Sequence, residues 1–190
     1  MKTKYFLLVL VLSSYAFGLQ AQIQTINTAK SSVSWLGKKI TGQHEGTIKI
    51  KSGSLEIKNN KISSGNFVID MNTISCSDLE DAGYNQKLVG HLKSDDFFGV
   101  GKFPNAILKI NNSSAFLNNV ASVKGQITIK GKTEDISFDV TNEKNTYSAK
   151  IEIDRSKFNV RYGSTSFFDT LGDKAIDDIF TLNIKLLTNN

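Results

Sequence analysis

Alternation of apolar and polar residues with a period of two runs through most of this 190-residue chain, and it limits the possible folds more than any other feature. A strand with one buried face sends every second side chain into the core. Val123, Gly125, Ile127 and Ile129 alternate with Lys124, Gln126, Thr128 and Lys130. Ile136, Phe138 and Val140 repeat the pattern, as do Tyr147, Ala149, Ile151 and Ile153, and Phe180, Leu182, Ile184 and Leu186. Earlier in the chain Phe67, Ile69 and Met71 share one face, and Ala106, Leu108 and Ile110 share another. Shorter strands are expected around Val33 and Trp35, Ile48 and Ile50, and Leu55 and Ile57. Short links at Asn59-Asn60, Gly131-Lys132 and residues 143–145 imply antiparallel neighbours. About eight strands in one domain predict an all-β fold, a closed antiparallel barrel or a sandwich. Closure removes the exposed edges that invite aggregation.

Two segments interrupt the alternation. Residues 77–92 read as one short helix, with Ser77 and Glu80 spaced as a capping box and Tyr84, Leu88 and Leu92 as an apolar stripe. Residues 159–178 are long for a loop in a compact domain, and such loops are often functional. No linker or internal repeat divides the rest, so residues 22–190 are expected to form a single domain.

Residues 1–21 read as a signal peptide. Lys2 and Lys4 precede an apolar run over residues 5–12, too short to span a bilayer, and small residues lead to a cleavage site near Ala21. No cysteine sits there to carry a lipid anchor. The expectation is a periplasmic or secreted protein with no stable membrane insertion after cleavage. The full chain carries a net charge of +5; removing two lysines with the leader leaves +3, that is 21 basic minus 18 acidic residues. The lysines are spread along strand faces and form no nucleic-acid patch. The single cysteine, Cys76, cannot form an internal disulfide, so the fold must rest on its apolar core. Its sequence neighbours Ser75, Ser77 and Asp78 include no cation, and a structural thiol is the expectation. Asn111 and Asn112 each open an N-x-Ser sequon, relevant only in a eukaryotic host. A homodimer is kept as an open arrangement, with no face assigned to it.

Catalytic signals are sparse. There are two histidines, His44 and His91. His91 has Asp95 and Asp96 nearby, but no nucleophile-elbow motif accompanies it. His44 reads as a surface or rim residue on an early strand. Two distant histidines and one cysteine give no recognisable zinc spacing, and Asp169, Asp173, Asp177 and Asp178 lack the order of a calcium loop. No pair of carboxylates stands out for glycosidase chemistry, and Gly99-Val100-Gly101 opens no phosphate loop. No metal and no catalytic group is therefore assigned. Arginine is rare, with Arg155 and Arg161 against 21 lysines. Either could contact an anionic head group at a barrel mouth or form an internal ion pair with Asp154, Asp169 or Asp173. Periodicity alone leaves open whether the apolar interior is packed or hollow. Gly125, Ala106 and Ala149 are small inward residues that could leave room.

The segment Lys87-Leu88-Val89-Gly90-His91-Leu92-Lys93-Ser94-Asp95-Asp96-Phe97-Phe98, followed by Lys102-Phe103-Pro104, is the most distinctive stretch. It resembles the segment shared by the YceI-like family, polyisoprenoid-binding proteins that are often periplasmic. Residues 31–35, 125–133, 153–158 and 161–178 fit the same resemblance, which covers about residues 26–187. It implies an extended lipocalin-like barrel around an apolar tunnel that takes an isoprenoid-type lipid, a quinone, a precursor or a similar amphiphile. It thus favours a hollow interior and a non-catalytic role, with no cofactor beyond the bound lipid. The expected tunnel wall is Phe67, Ile69, Met71, Leu108, Ile110, Val123, Ile127, Phe138, Val140, Tyr147, Ile151, Phe180, Leu182 and Ile184, with His91, Arg155 and Arg161 at the mouth. Two alternatives stand beside this reading: a secreted interaction barrel with a packed interior, and a hydrolase or isomerase that uses His91 on an apolar substrate.

Overall fold

The computed structural model describes residues 21–189, so the expected leader at 1–21 lies outside the described residues but for Ala21. Nine strands and one helix follow in chain order: β1 Gln22–Thr25, β2 Ser32–Lys39, β3 Gly42–Lys58, β4 Lys61–Cys76, α1 Ala82–Lys93, β5 Asn105–Ser113, β6 Val120–Ile129, β7 Lys132–Glu143, β8 Thr146–Asp154 and β9 Ile179–Leu187. All pairings are antiparallel. Strands β2 to β9 pair in chain order, and β9 returns to β2 through Trp35↔Leu182, which closes an eight-stranded barrel. The ninth strand, β1, lies along β3, with Gln22 opposite Ile57.

The expected short strands around Ile48 and Leu55 are one 17-residue strand, β3. Register shifts against β4 between Thr47/Lys49 and Ile50/Ser52 bend it around the barrel instead of ending it. Asn59 and Asn60, with φ of 52° and 57°, make the β3–β4 turn. Lys130 and Gly131, at 49° and 75°, make the β6–β7 turn, one residue earlier than the sequence pattern implied. Two successive positive φ values twist a hairpin in the sense its strands require, a conformation that suits Asn59, Asn60 and Gly131 and that Lys130 adopts as well.

Gly125 does not open space in the interior. A Cβ there would lie 2.2 Å from the Lys109 carbonyl oxygen, so the glycine lets β5 approach closely at its irregular pairing past Ile110.

Helix α1 starts later than expected, at Ala82. Asp81 is its N-cap and accepts from the Tyr84 N–H at 2.8 Å, while Ser77 bonds to the Glu45 carbonyl. The long-range tie to β3 overrides the local capping pattern. Tyr84 is exposed, and Lys87 Nζ lies 5.5 Å from its ring centre. The face turned to the barrel is Leu88, Val89 and Leu92, all half-buried.

Two apolar clusters of buried side chains line the barrel. One centres on Met71, Ile74, Phe97, Ile127, Ile151 and Phe158, toward the end carrying α1 and the 159–178 loop. The other centres on Leu55, Ile62, Phe67, Val123, Val140 and Tyr147, toward the end covered by β1 and Phe116. Each fully buried aliphatic or aromatic side chain contributes about 1.5–3 kcal/mol.

Candidate functional site

The barrel interior holds an apolar cavity whose lining comes from both core clusters. Its wall draws on β2 to β9, from Leu55, Ile62, Tyr147 and Leu186 at the far end to Ile153, Phe98, Ile176 and Asp177 at the loop-covered end. Every expected wall residue lines it except Val123, which is wholly buried beside it in the far cluster. Ala106 and Ala149 line it too, as the small inward residues suggested. Residues that periodicity did not single out as wall add Leu92, Phe97 and Phe98, brought in by α1 and the turn after it.

The cavity has a volume of about 180 Å³. Its lining is hydrocarbon almost throughout, with Arg155, Asp177 and Ser148 the polar and charged exceptions.

The loop-covered end is built differently. Arg155, 1% exposed, follows β8 and reaches under the 159–178 loop. Its Nε donates to the Asp177 carbonyl at 3.1 Å. One terminal nitrogen donates to the carbonyls of Val160 (3.0 Å) and Tyr162 (2.8 Å). The other donates to the Ile176 carbonyl at 3.0 Å and lies 3.2 Å from Asp178 Oδ1. The internal pairing foreseen for Arg155 is thus real, but its partner is Asp178. Asp154 instead caps the turn 155–158 through Ser156. Burial alone would raise the Asp178 pKa; hydrogen bonds from Ser164 and Ser166 and the charge of Arg155 hold it below the ordinary carboxylate value. With its donors committed to the loop, Arg155 is a poor candidate for a head-group contact.

Lys130, at the β6–β7 turn, works in the same way. Its Nζ donates to the carbonyls of Phe97 (2.6 Å) and Asp95 (2.9 Å), which holds the Asp95-Asp96-Phe97-Phe98 turn over the barrel end. The Asp95 carboxylate pairs with Lys102 at 2.7 Å. His91 sits in the last turn of α1, edge-on to Tyr162 (4.3 Å between ring centres) and Phe97 (5.8 Å). Arg161 is exposed; its Nε donates to Asn159 Oδ1 at 2.6 Å and its guanidinium lies 4.8 Å from the Phe167 ring centre. His91 and Arg161 therefore both border the loop beside Tyr162.

The other histidine has company that sequence spacing hid. His44 Nδ1 lies 2.9 Å from Asp78 Oδ2, and Cys76 Sγ lies 3.0 Å from Asp78 Oδ1, which also accepts from the Glu45 N–H at 3.1 Å. Burial works against the Asp78 charge, but the bonds from Cys76, His44 and Glu45 win and bring its pKa down to about 2. Burial raises the Cys76 pKa, and the bond to Asp78 adds to the rise. No helix among the described residues is long and apolar enough to cross a membrane.

The YceI-like domain family matches residues 24–187. The chain belongs to the YceI-like family. Among solved structures, Burkholderia cenocepacia BcnA is similar at 26% identity, with 86% of this chain and 99% of that one covered and a TM-score of 0.68. A polyisoprenoid binding domain from Saccharophagus degradans, implicated in plant cell wall breakdown, shares the fold at 12% identity, with 87% and 97% covered and a TM-score of 0.57. The Campylobacter jejuni YCEI protein shares it at 23% identity, with 68% and 74% covered and a TM-score of 0.51. No curated protein matches the sequence significantly. The family membership agrees with the wall described above and supports a binding role for this YceI-like barrel.

Proposed function

We propose that this YceI-like protein binds one isoprenoid-type amphiphilic lipid in its barrel, for storage or transport, and performs no chemistry on it. The observation that carries the reading is the hydrocarbon-lined cavity inside the barrel, walled by residues of all eight strands β2 to β9. An ordinary barrel core closes such space with side chains. Each CH₂ moved from water into the tube contributes about 0.8 kcal/mol, so a prenyl tail needs no charged anchor to bind tightly. The polar head rests at the rim formed by α1 and the 159–178 loop, where His91 and Arg161 are the side chains at hand. In this reading residues 1–21 direct export of the carrier to the periplasm or the exterior.

Purification without detergent, followed by lipid extraction and mass spectrometry, tests the reading. The expected result is one prenyl lipid or quinone per chain, or one-to-one uptake after refolding with a panel of prenyl alcohols and quinones. An empty protein that takes up none of them would overturn the reading and favour an interaction barrel that carries no lipid.

A further inference from the structure

We propose that His44, Cys76 and Asp78 form a binding site for a divalent cation of zinc type, placed at the rim of the barrel beside the lipid tunnel. Their donor atoms, one imidazole nitrogen, one thiol sulfur and one carboxylate oxygen, all lie within 4.8 Å of one another. That is the set borderline cations select: three protein ligands and a fourth position for water or another oxygen. Hard cations such as magnesium and calcium prefer oxygen ligands alone.

The strands create the cluster. β3 pairs with β4 at Gly46↔Cys76, so His44 and Asp78 fall two residues further on, opposite each other. The same faces carry the tunnel wall. Val33, Trp35 and Gly37 line the tunnel on β2, and their partners on β3 are Ile48, Gly46 and His44. On β4 the wall residue Ile74 precedes Cys76 and Asp78 at steps of two. The three donors thus continue the inward rows past the last ring of the wall. Trp35, itself a wall residue, lies next to this rim. Its indole crosses Gly46 and donates from Nε1 to the Ser75 carbonyl at 3.0 Å, and a Cβ on Gly46 would lie 2.8 Å from the indole and 1.8 Å from the Ser75 oxygen.

The backbone around the donors is held before any ion arrives. Ser77 N–H bonds to the Glu45 carbonyl at 2.9 Å, Glu45 N–H bonds to Asp78, and Asn85 of α1 donates to the Cys76 carbonyl at 3.0 Å. The proton balance is simple. A divalent ion displaces the thiol proton to solvent and bonds to the neutral imidazole; with one carboxylate and one thiolate, the site then carries no net charge. Asp78 hydrogen-bonds to both other donors, so small rotations suffice to replace those bonds by bonds to a shared ion.

Titration of the reduced protein with cobalt(II), then zinc competition against a chromophoric chelator, tests the site. The expected result is one equivalent of cobalt with a thiolate charge-transfer band, displaced by one equivalent of zinc. Cys76→Ser should abolish the band, and His44→Ala should weaken zinc at least roughly 100-fold, beyond the 10–100-fold typical of a lost outer-shell partner. His91→Ala should bind as the parent does. Absence of the band, or zinc binding undiminished in Cys76→Ser and His44→Ala variants that keep the parent circular dichroism, would overturn the proposal.

Discussion

The two ends of the barrel are closed by opposite chemistry. At the far end Val123, Ile62, Leu55 and Phe67 pack against Tyr147, whose hydroxyl and Gln24 Oε1 lie 3.0 Å apart. There the strands finish the job themselves, and apolar burial does most of the work. At the other end two segments of irregular chain, residues 95–98 and 159–178, lie across the opening, held by Lys130 and Arg155 donating to backbone carbonyls. A loop over a barrel leaves carbonyls without strand partners, and a long cation satisfies several at once. The difference separates a part of the molecule that must only be filled from a part that must be tied, and substitutions should affect the two unequally.

The largest effect is expected at Arg155. Arg155→Ala removes the common partner of Val160, Tyr162, Ile176 and Asp177 and leaves Asp178 without its cation. Loss of one partner from a buried charge network costs about 3–5 kcal/mol. Urea unfolding should show that loss, and limited proteolysis should cut first within residues 159–178. If the far end loosened equally, the two ends would not be distinct units.

A smaller effect is expected in the wall. Ala149→Phe fills the bore with a ring and should cost about 1–3 kcal/mol through overpacking. The circular dichroism should persist while prenyl-lipid uptake is lost. Retained uptake would mean that the lipid does not use this tube.

At the far end, Ser113→Ala removes the hydroxyl oxygen that accepts from the buried Ile62 N–H at 2.9 Å. The unsatisfied donor should cost about 1–3 kcal/mol, with lipid binding and loop proteolysis unchanged.

The smallest effect concerns pH. The Asp178 pKa is depressed in the fold, so its stabilising contribution is present above the unfolded value of 3.8 and is lost as pH falls through the folded value. Asp178→Asn should flatten the dependence of the urea midpoint on pH below about 4. An unchanged slope would place the acid sensitivity elsewhere.

The far end and the wall were legible because period-two alternation encodes them directly. Phe67, Leu108, Ile127, Ile151 and Leu182 face inward as their spacing required. Val123 obeyed the same rule yet packs beside the cavity, since alternation gives a face but not a depth. The tied end was largely hidden. The partners of Arg155 are main-chain oxygens up to 22 residues away, which no side-chain pattern announces. The helix start moved because Ser77 and Asp78 are held by β3, a contact invisible to local capping rules. The His44, Cys76 and Asp78 cluster was missed for the same reason, since 32 residues separate His44 from Cys76 and only the β3–β4 register joins them.

The most direct test of a hollow, lipid-filled barrel uses the chain's own reporter. Trp35 is the sole tryptophan and stands in the tunnel wall. Titration of lipid-free protein with a short prenyl alcohol such as farnesol, followed by tryptophan emission, reads occupancy of that wall. The account predicts a saturable emission change at one ligand per chain, absent in Ala149→Phe. Emission that stays constant, with no ligand retained by the protein, would contradict it.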